Sequence, residues 1–197
     1  MDKLTFEESN ALKNWHAWLD KNPGHGDRAR LRRADSPEDI LLTDAFFHFL
    51  HRMDQVTPNW SQNTPMLTSA CMAGALSHVK TDKLTPSRLY NNKETDAPKK
   101  MAGFAEQLAT PQEGKGKAPM SELRFQQLQK SPTVDDFYRR LIRAIRLLDG
   151  SVNLVSLAND IIQWHQEFAK PIGREPAKRL AVRWATDYFT ALPKNSD

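Results

Sequence analysis

The chain has 197 residues, of which 39% are hydrophobic and 26% charged, with a net charge of +4. That describes an ordinary globular protein, and the length suits one domain or two small ones that bury roughly 70% of the unfolded surface. A single cysteine, Cys71, excludes an internal disulfide and any cysteine-based zinc site. The longest apolar run, ACMAGAL, is far short of the ~20 residues of a membrane span. The charged start MDKLTFEESN lacks the apolar core of a signal peptide, so the expected location is the cytoplasm, with Cys71 a buried, inert thiol.

Apolar residues recur with a period near 3.6 and strand-like alternation is nearly absent, which predicts an all-α protein. A first helix is expected over Phe6–Lys21, gathering Ala11, Leu12, Trp15, Trp18 and Leu19 on one face. After NPGHG, Asp27 is expected to cap a short arginine helix or turn that ends before DSP. Ser36-Pro37-Glu38-Asp39 has the cap, first-position proline and early acids of a helix start. That helix is expected to run unbroken to about Met53 and to be apolar over most of its circumference, hence central to a bundle. Another is expected over Pro65–Lys80, where Ala70, Ala73, Gly74 and Ala75 suit close helix approach. Residues 81–100 are polar and irregular and read as a mobile surface connection, followed by a short helix near Lys99–Leu108.

TPQEGKGKAP, residues 110–119, breaks the pattern and divides the chain into two packed helical bundles, 1–112 and 113–197. In the second half a helix is expected over Pro119–Lys130, and another begins at the Thr133/Asp136 capping box and stops at Gly150. Ser151–Ala169 is a broad amphipath with Asn153, Ser156, Asn159, Asp160, Gln163 and Glu167 on its polar half. A last helix is expected from GREPAKRL to the final leucine, with proline near its first position. Trp15, Trp164 and Trp184 lie on core faces, whereas Trp60, in VTPNWSQNT, is a candidate exposed anchor for a partner protein.

Enzymatic signatures are weak. Asp44, His48 and His51 share a ~60° stripe that would suit a metal-dependent helical hydrolase, but a solvated polar face explains it without a ligand. His165 and Glu167 repeat the start of a zinc-deaminase signature without the cysteine pair that must follow. EGKGK lacks the six-residue frame of a phosphate loop. No catalytic residue, metal or cofactor is expected.

The basic residues are more informative. GDRARLRRA puts Arg28, Arg30, Arg32 and Arg33 within six positions. Between Lys115 and Arg146 there are eight basic and three acidic residues, so this segment alone exceeds the net charge of the whole chain. Within it, Phe137, Leu141, Ala144, Ile145 and Leu148 cluster on one helix face, and Arg139, Arg143 and Arg146 lie opposite within ~60°, flanked by Arg140. No glutamate stands four residues away to pair with them. Guanidinium forks bond phosphate oxygens bidentately, so these clusters are candidate nucleic-acid contacts. Among aromatics only Tyr138 and Phe125 accompany them, which predicts backbone tracking with little base stacking. A stand-alone helical regulator that reads duplex DNA through Gln126 and Gln127 is the alternative from another class.

The order of motifs also carries a resemblance: WHAWL, GDRARLRRADSPED and AFFHFL, then MSELRFQQLQKSPTVDDFYRRLIRAIRLL, VNLVSLANDIIQWH and RLAVRWATDYF. Over about Trp15–Arg33 and most of Met120–Phe189 the chain resembles the CasB family, the small subunit of the type I-E CRISPR surveillance complex Cascade. The resemblance implies an all-helical, non-enzymatic subunit present as a head-to-tail pair of copies. It implies contacts with the backbone subunits that carry the CRISPR RNA, with the large subunit, and with the target and displaced DNA strands of the R-loop. By position it carries nucleic-acid binding onto Arg32, Arg33, Arg124, Lys130, Arg139, Arg140 and Arg143. Arg28, Arg30 and Arg146 join the set on charge alone. Residues 81–116 match nothing in the family pattern.

Overall fold

The computed structural model describes residues 3–90, 100–170, 173 and 175–193. The chain is predominantly helical, as its periodicity predicts. Helix α1 (Phe6–Trp18) opens on a Thr5–Glu8 capping box and buries Ala11, Leu12 and Trp15, with Leu19 just beyond its end and Trp18 half-buried. Helix α2 (Gly24–Arg33) starts three residues before Asp27, so Asp27 is not its cap. That aspartate is buried in the first turn, where the helix N-terminus favours negative charge.

The helix expected from Ser36 to Met53 is two helices. Ser36 and Asp39 form the predicted capping box of α3 (Pro37–Leu41), but Thr43 then turns extended. Its hydroxyl accepts from the Phe46 amide and donates to the Ile40 carbonyl, closing one helix and starting α4 (Asp44–Val56). The competing side-chain bond of a threonine outweighs continuous periodicity. As a result α4 buries Ala45, Phe46, Phe49, Leu50 and Met53 but leaves Phe47 and its histidines exposed. Trp60 is the first residue of α5 (Trp60–Asn63); it is fully buried and donates its Nε1 hydrogen to Ser69 Oγ at 3.2 Å, so it plugs the bundle and is not an exposed anchor.

Helix α6 (Met66–Ser77) is buried along nearly its whole length. At Gly74 an added Cβ would run into the Ile40 side chain and lie 2.5 Å from the Tyr138 hydroxyl, so glycine lets α3 and α9 close onto α6. Cys71 is buried there, and desolvation pushes its thiol well above the ordinary range, which leaves it inert.

Residues 81–90 are more ordered than their composition suggests. Strand β1 (Thr81–Asp82) pairs in parallel with β2 (Ser151–Val152), and Pro86 bridges Met101. The rest of that expected connection, 91–99, and the start of the helix expected at Lys99 lie outside the described residues. Helix α7 (Phe104–Ala109) follows, then the exposed 113–117 segment with Gly114 at φ 75°. Helices α8 (Glu122–Gln129) and α9 (Val134–Leu147) come next; Thr133 caps α9, and Gly150, at φ 78°, ends the turn that stops it. Helix α10 (Leu154–Ala169) is capped by Asn153. The expected last helix is a short 3-10 turn at Pro176–Lys178 followed by α11 (Leu180–Ala191); Arg174, in its expected first turn, lies outside the described residues.

Residues from both sides of position 112 join one buried apolar cluster running from Leu12 through Phe46 and Phe125 to Trp184. The polar half expected on α10 is largely buried as well. Asp160 and Gln163 face α11, where Asp160 accepts from Trp184 Nε1 at 2.9 Å and pairs with Arg183 at 3.1 Å. Burial pushes its carboxyl up to about 6 against those two partners.

His165 is buried against Trp164 and Phe137, with Nε2 unpartnered among the described residues, and burial pushes it down to about 4. A depressed histidine contributes stability that is present above its unfolded value of 6.5 and lost as pH falls through 4. Asp160 acts oppositely: its contribution is present below 3.8 and lost as pH rises through 6. His165→Leu removes only the first effect. The melting-temperature gap between wild type and variant is therefore expected to narrow, in favour of the variant, between pH 7 and pH 5. Parallel melting curves across that range would contradict the burial of His165.

Candidate nucleic-acid interface

The two arginine groups differ in how the fold uses them. On α9 the dry face is as predicted: Phe137, Leu141, Ala144, Ile145 and Leu148 are buried. Arg139, Arg143 and Arg146 stand exposed on the opposite side and have no acceptor among the described residues. Arg124 on α8 and Lys130 at its end are exposed and unpaired in the same sense. Arg140 is committed: it donates to the Gln127 carbonyl and approaches Ser131 Oγ at 3.4 Å, tying α9 to α8.

On α2 the fold draws two of the four arginines, Arg28 and Arg32, inward. Arg28 is nearly buried, pairs with Asp20 at 2.6 Å and lies 3.4 Å from His16 Nε2, which donates to the Val79 carbonyl at 2.9 Å. Burial lowers both the Arg28 guanidinium and the His16 ring from their ordinary values. Arg30 sits 3.4 Å from Asp27 and 3.4 Å from Asp44. Arg32 donates from Nε to the Ser77 carbonyl at 2.8 Å, leaving the far end of its fork uncommitted among the described residues. Arg33 is exposed and unpaired among the described residues.

These roles separate by mutation. Arg28→Ala loses the ion pair and the packing of a nearly buried stem, for a destabilisation of about 1 kcal/mol, or roughly 2–4 °C. Arg33→Ala is expected to leave the melting temperature within about 1–2 °C of wild type, since exposed substitutions stay within ±0.5 kcal/mol. Equal shifts for the two variants, read by thermal denaturation, would contradict the division.

The two groups meet at a residue that the sequence did not single out. His78 follows α6, and its neighbour Ser77 binds Arg32. Burial, then Arg146 from α9, then Arg32 from α2 push its ring down to about 4. The carboxylate that acts on Arg32, Asp20, is already paired with Arg28, and among the described residues the buried Nε2 of His78 and Nε of Arg28 have no hydrogen-bond partner. The exposed Lys80 packs over Gly150, close to the same place. The signal was the basic character of SHVK, lying between the two arginine groups along the chain, but its position beside both of them is a tertiary fact.

Neither expected aromatic is available on this face. Tyr138 and Phe125 are fully buried, the latter stacked on Tyr188 with ring centroids 3.9 Å apart. Gln126 and Gln127 are exposed on α8. The candidate metal stripe is dispersed among other partners: Asp44 faces Arg30, His48 Nδ1 bonds Asp27 at 2.8 Å, and His51 pairs with Gln55 at 3.0 Å. Among the described residues no group of three His, Cys, Asp or Glu side chains is placed to hold a metal ion, and no helix is long and apolar enough to cross a membrane.

No curated protein and no solved structure matches the chain. The family model described as CRISPR-associated protein Cse2 matches residues 27–189, a span that takes in the arginines of α2, α8 and α9 and most of α11. The chain therefore belongs to the Cse2 family, the small subunit (CasB) of the type I-E CRISPR surveillance complex.

Proposed function

We propose that this subunit is non-catalytic and grips nucleic-acid backbones, stabilising the R-loop while the CRISPR RNA supplies sequence specificity. The observation that carries the reading is the exposed row of Arg139, Arg143 and Arg146 on α9, unpaired among the described residues, whose Arg146 acts on His78 together with Arg32 from α2, while Asp20, the carboxylate acting on Arg32, is already paired with Arg28. Gathering like charges without counter-ions costs free energy in the isolated fold. A polyanion laid across α2 and α9 recovers it and releases condensed counterions. Arg33, Arg124 and Lys130 extend the track, while Arg28, Arg30 and Arg140 hold its shape. In an R-loop the RNA–DNA duplex formed is about as stable as the DNA duplex opened, so modest backbone contacts tip the exchange. A second copy of the chain, the backbone subunits and the large subunit complete the setting, in the cytoplasm.

The test is fluorescence anisotropy of labelled single-stranded DNA and of unrelated duplexes, titrated with the protein at several salt concentrations. Salt-sensitive binding that ignores sequence supports the grip. Preference for one duplex sequence, or no binding at low salt, overturns it.

A further inference from the structure

A second basic surface, sharing no residue with the arginine track, lies where α1 meets α10 and α11. It is a cleft of about 420 Å³. On α1, Phe6, Asn10 and Lys13 follow helical spacing and line one wall, with Lys3 one turn ahead. Tyr90 and Lys100 form the facing rim, the Lys100 ammonium 3.4 Å from the Tyr90 ring centroid and the Tyr90 hydroxyl donating to Asp187. Asn159, Arg183 and Trp184 form its floor.

Three features of this cleft require a ligand more than a structural account. Phe6 is 76% exposed and makes no ring contact among the described residues, and Tyr90 is 47% exposed. Lysines stand around the mouth, while the floor's carboxylates are already engaged: Asp160 by Trp184 and Arg183, Asp187 by Tyr90. Asn159 accepts from the Leu4 amide at 2.7 Å, which fixes the entry of α1 and leaves its amide nitrogen unpartnered among the described residues; the Asn10 side chain is likewise unpartnered.

We propose that this cleft binds a splayed nucleotide of a single strand, the base lying against Phe6 and Tyr90, its edge meeting the Asn10 and Asn159 amides, and its phosphates meeting Lys3 and Lys13. Aromatic faces beside cations are how single strands are held without sequence preference. The volume suits one nucleotide-sized ligand. Lysine is depleted in protein–protein interfaces, so the lysine-ringed mouth favours nucleic acid over a protein partner. The inference rests on the nucleic-acid reading of the subunit and adds a distinction to it. The aromatics that accompany the arginine track in sequence, Tyr138 and Phe125, are buried, so the track treats single strands and duplexes alike; the cleft separates them, because bases inside a duplex cannot enter it.

The test compares the full-length protein with a Phe6→Ser/Tyr90→Leu variant, using labelled oligothymidylate and a duplex of equal length over a salt series. Leu42→Ser, which removes an equally exposed apolar side chain elsewhere, is the control. The expected result is about tenfold weaker binding of the single strand with an unchanged salt slope, and no change for the duplex or the control. Unchanged single-strand affinity, an equal loss for the duplex, or no binding of the single strand by the wild-type protein each overturns the cleft. If the double variant binds the strand normally but no longer co-purifies with partner subunits, the surface is a protein contact and the proposal falls. Failure of the cleft is distinct from failure of the arginine track, because removing phosphate contacts flattens the salt slope and removing stacking does not.

Discussion

Replacing Arg139, Arg143 and Arg146 together with alanine is expected to weaken nucleic-acid binding by about two orders of magnitude at 0.1 M salt. Each phosphate contact contributes close to one logarithmic unit at that concentration through counterion release, and the slope of log K against log salt falls by about 0.9 for each phosphate no longer neutralised. The combined slope should therefore change by roughly two to three units, equally for every sequence tested. The fold should be indifferent, since all three side chains are exposed opposite the buried face of α9 and bond nothing among the described residues. Anisotropy at four or five salt concentrations reads the first effect and thermal denaturation the second. A sequence-selective loss would point to base readout. A large fall in melting temperature would mean that α9 is rotated from the position described.

The largest effect on stability is expected in the core beneath α11. Trp184 is 2% exposed, its ring 6.0 Å from Phe104 and 6.4 Å from Phe125. Its Nε1 hydrogen also satisfies the buried Asp160. Trp184→Ala opens a cavity between α7, α8 and α11 and removes one of the two partners of that carboxylate, for about 4 kcal/mol. In a chain of this size that lowers the melting temperature by roughly 10 °C or more. A drop of only one or two degrees would mean that α11 does not pack on α7 and α8 through this ring. The same variant retains the arginine track, so duplex binding measured well below its melting temperature should stay within a few-fold of wild type.

Much of this molecule was legible in sequence because the signals are local. Period-3.6 patterning gives the all-α class, Thr133 and Ser36 mark helix starts, and Gly150 marks a stop. The two faces of α9 follow from angles alone, since a residue's direction from a helix is set by its position in the turn. The order of motifs gave the family, and the match over residues 27–189 bears it out.

What the sequence left open depends on neighbours distant in the chain. Nothing in GDRARLRRA says that Arg28 will turn toward Asp20 and His16, or Arg32 toward the Ser77 carbonyl, while Arg33 stays in water. Trp60 is buried because Ser69 lies within reach of its indole, and α3 and α4 separate because one threonine hydroxyl satisfies both helix ends. The meeting of α2 and α9 at His78, and of α1 and α10 in the lysine-rimmed cleft, joins segments that lie far apart along the chain. Helical periodicity fixes which way a side chain leaves its own helix. Which charges then share a surface is decided by how the helices pack, because electrostatic neighbours are set by distance in space and not by separation along the chain.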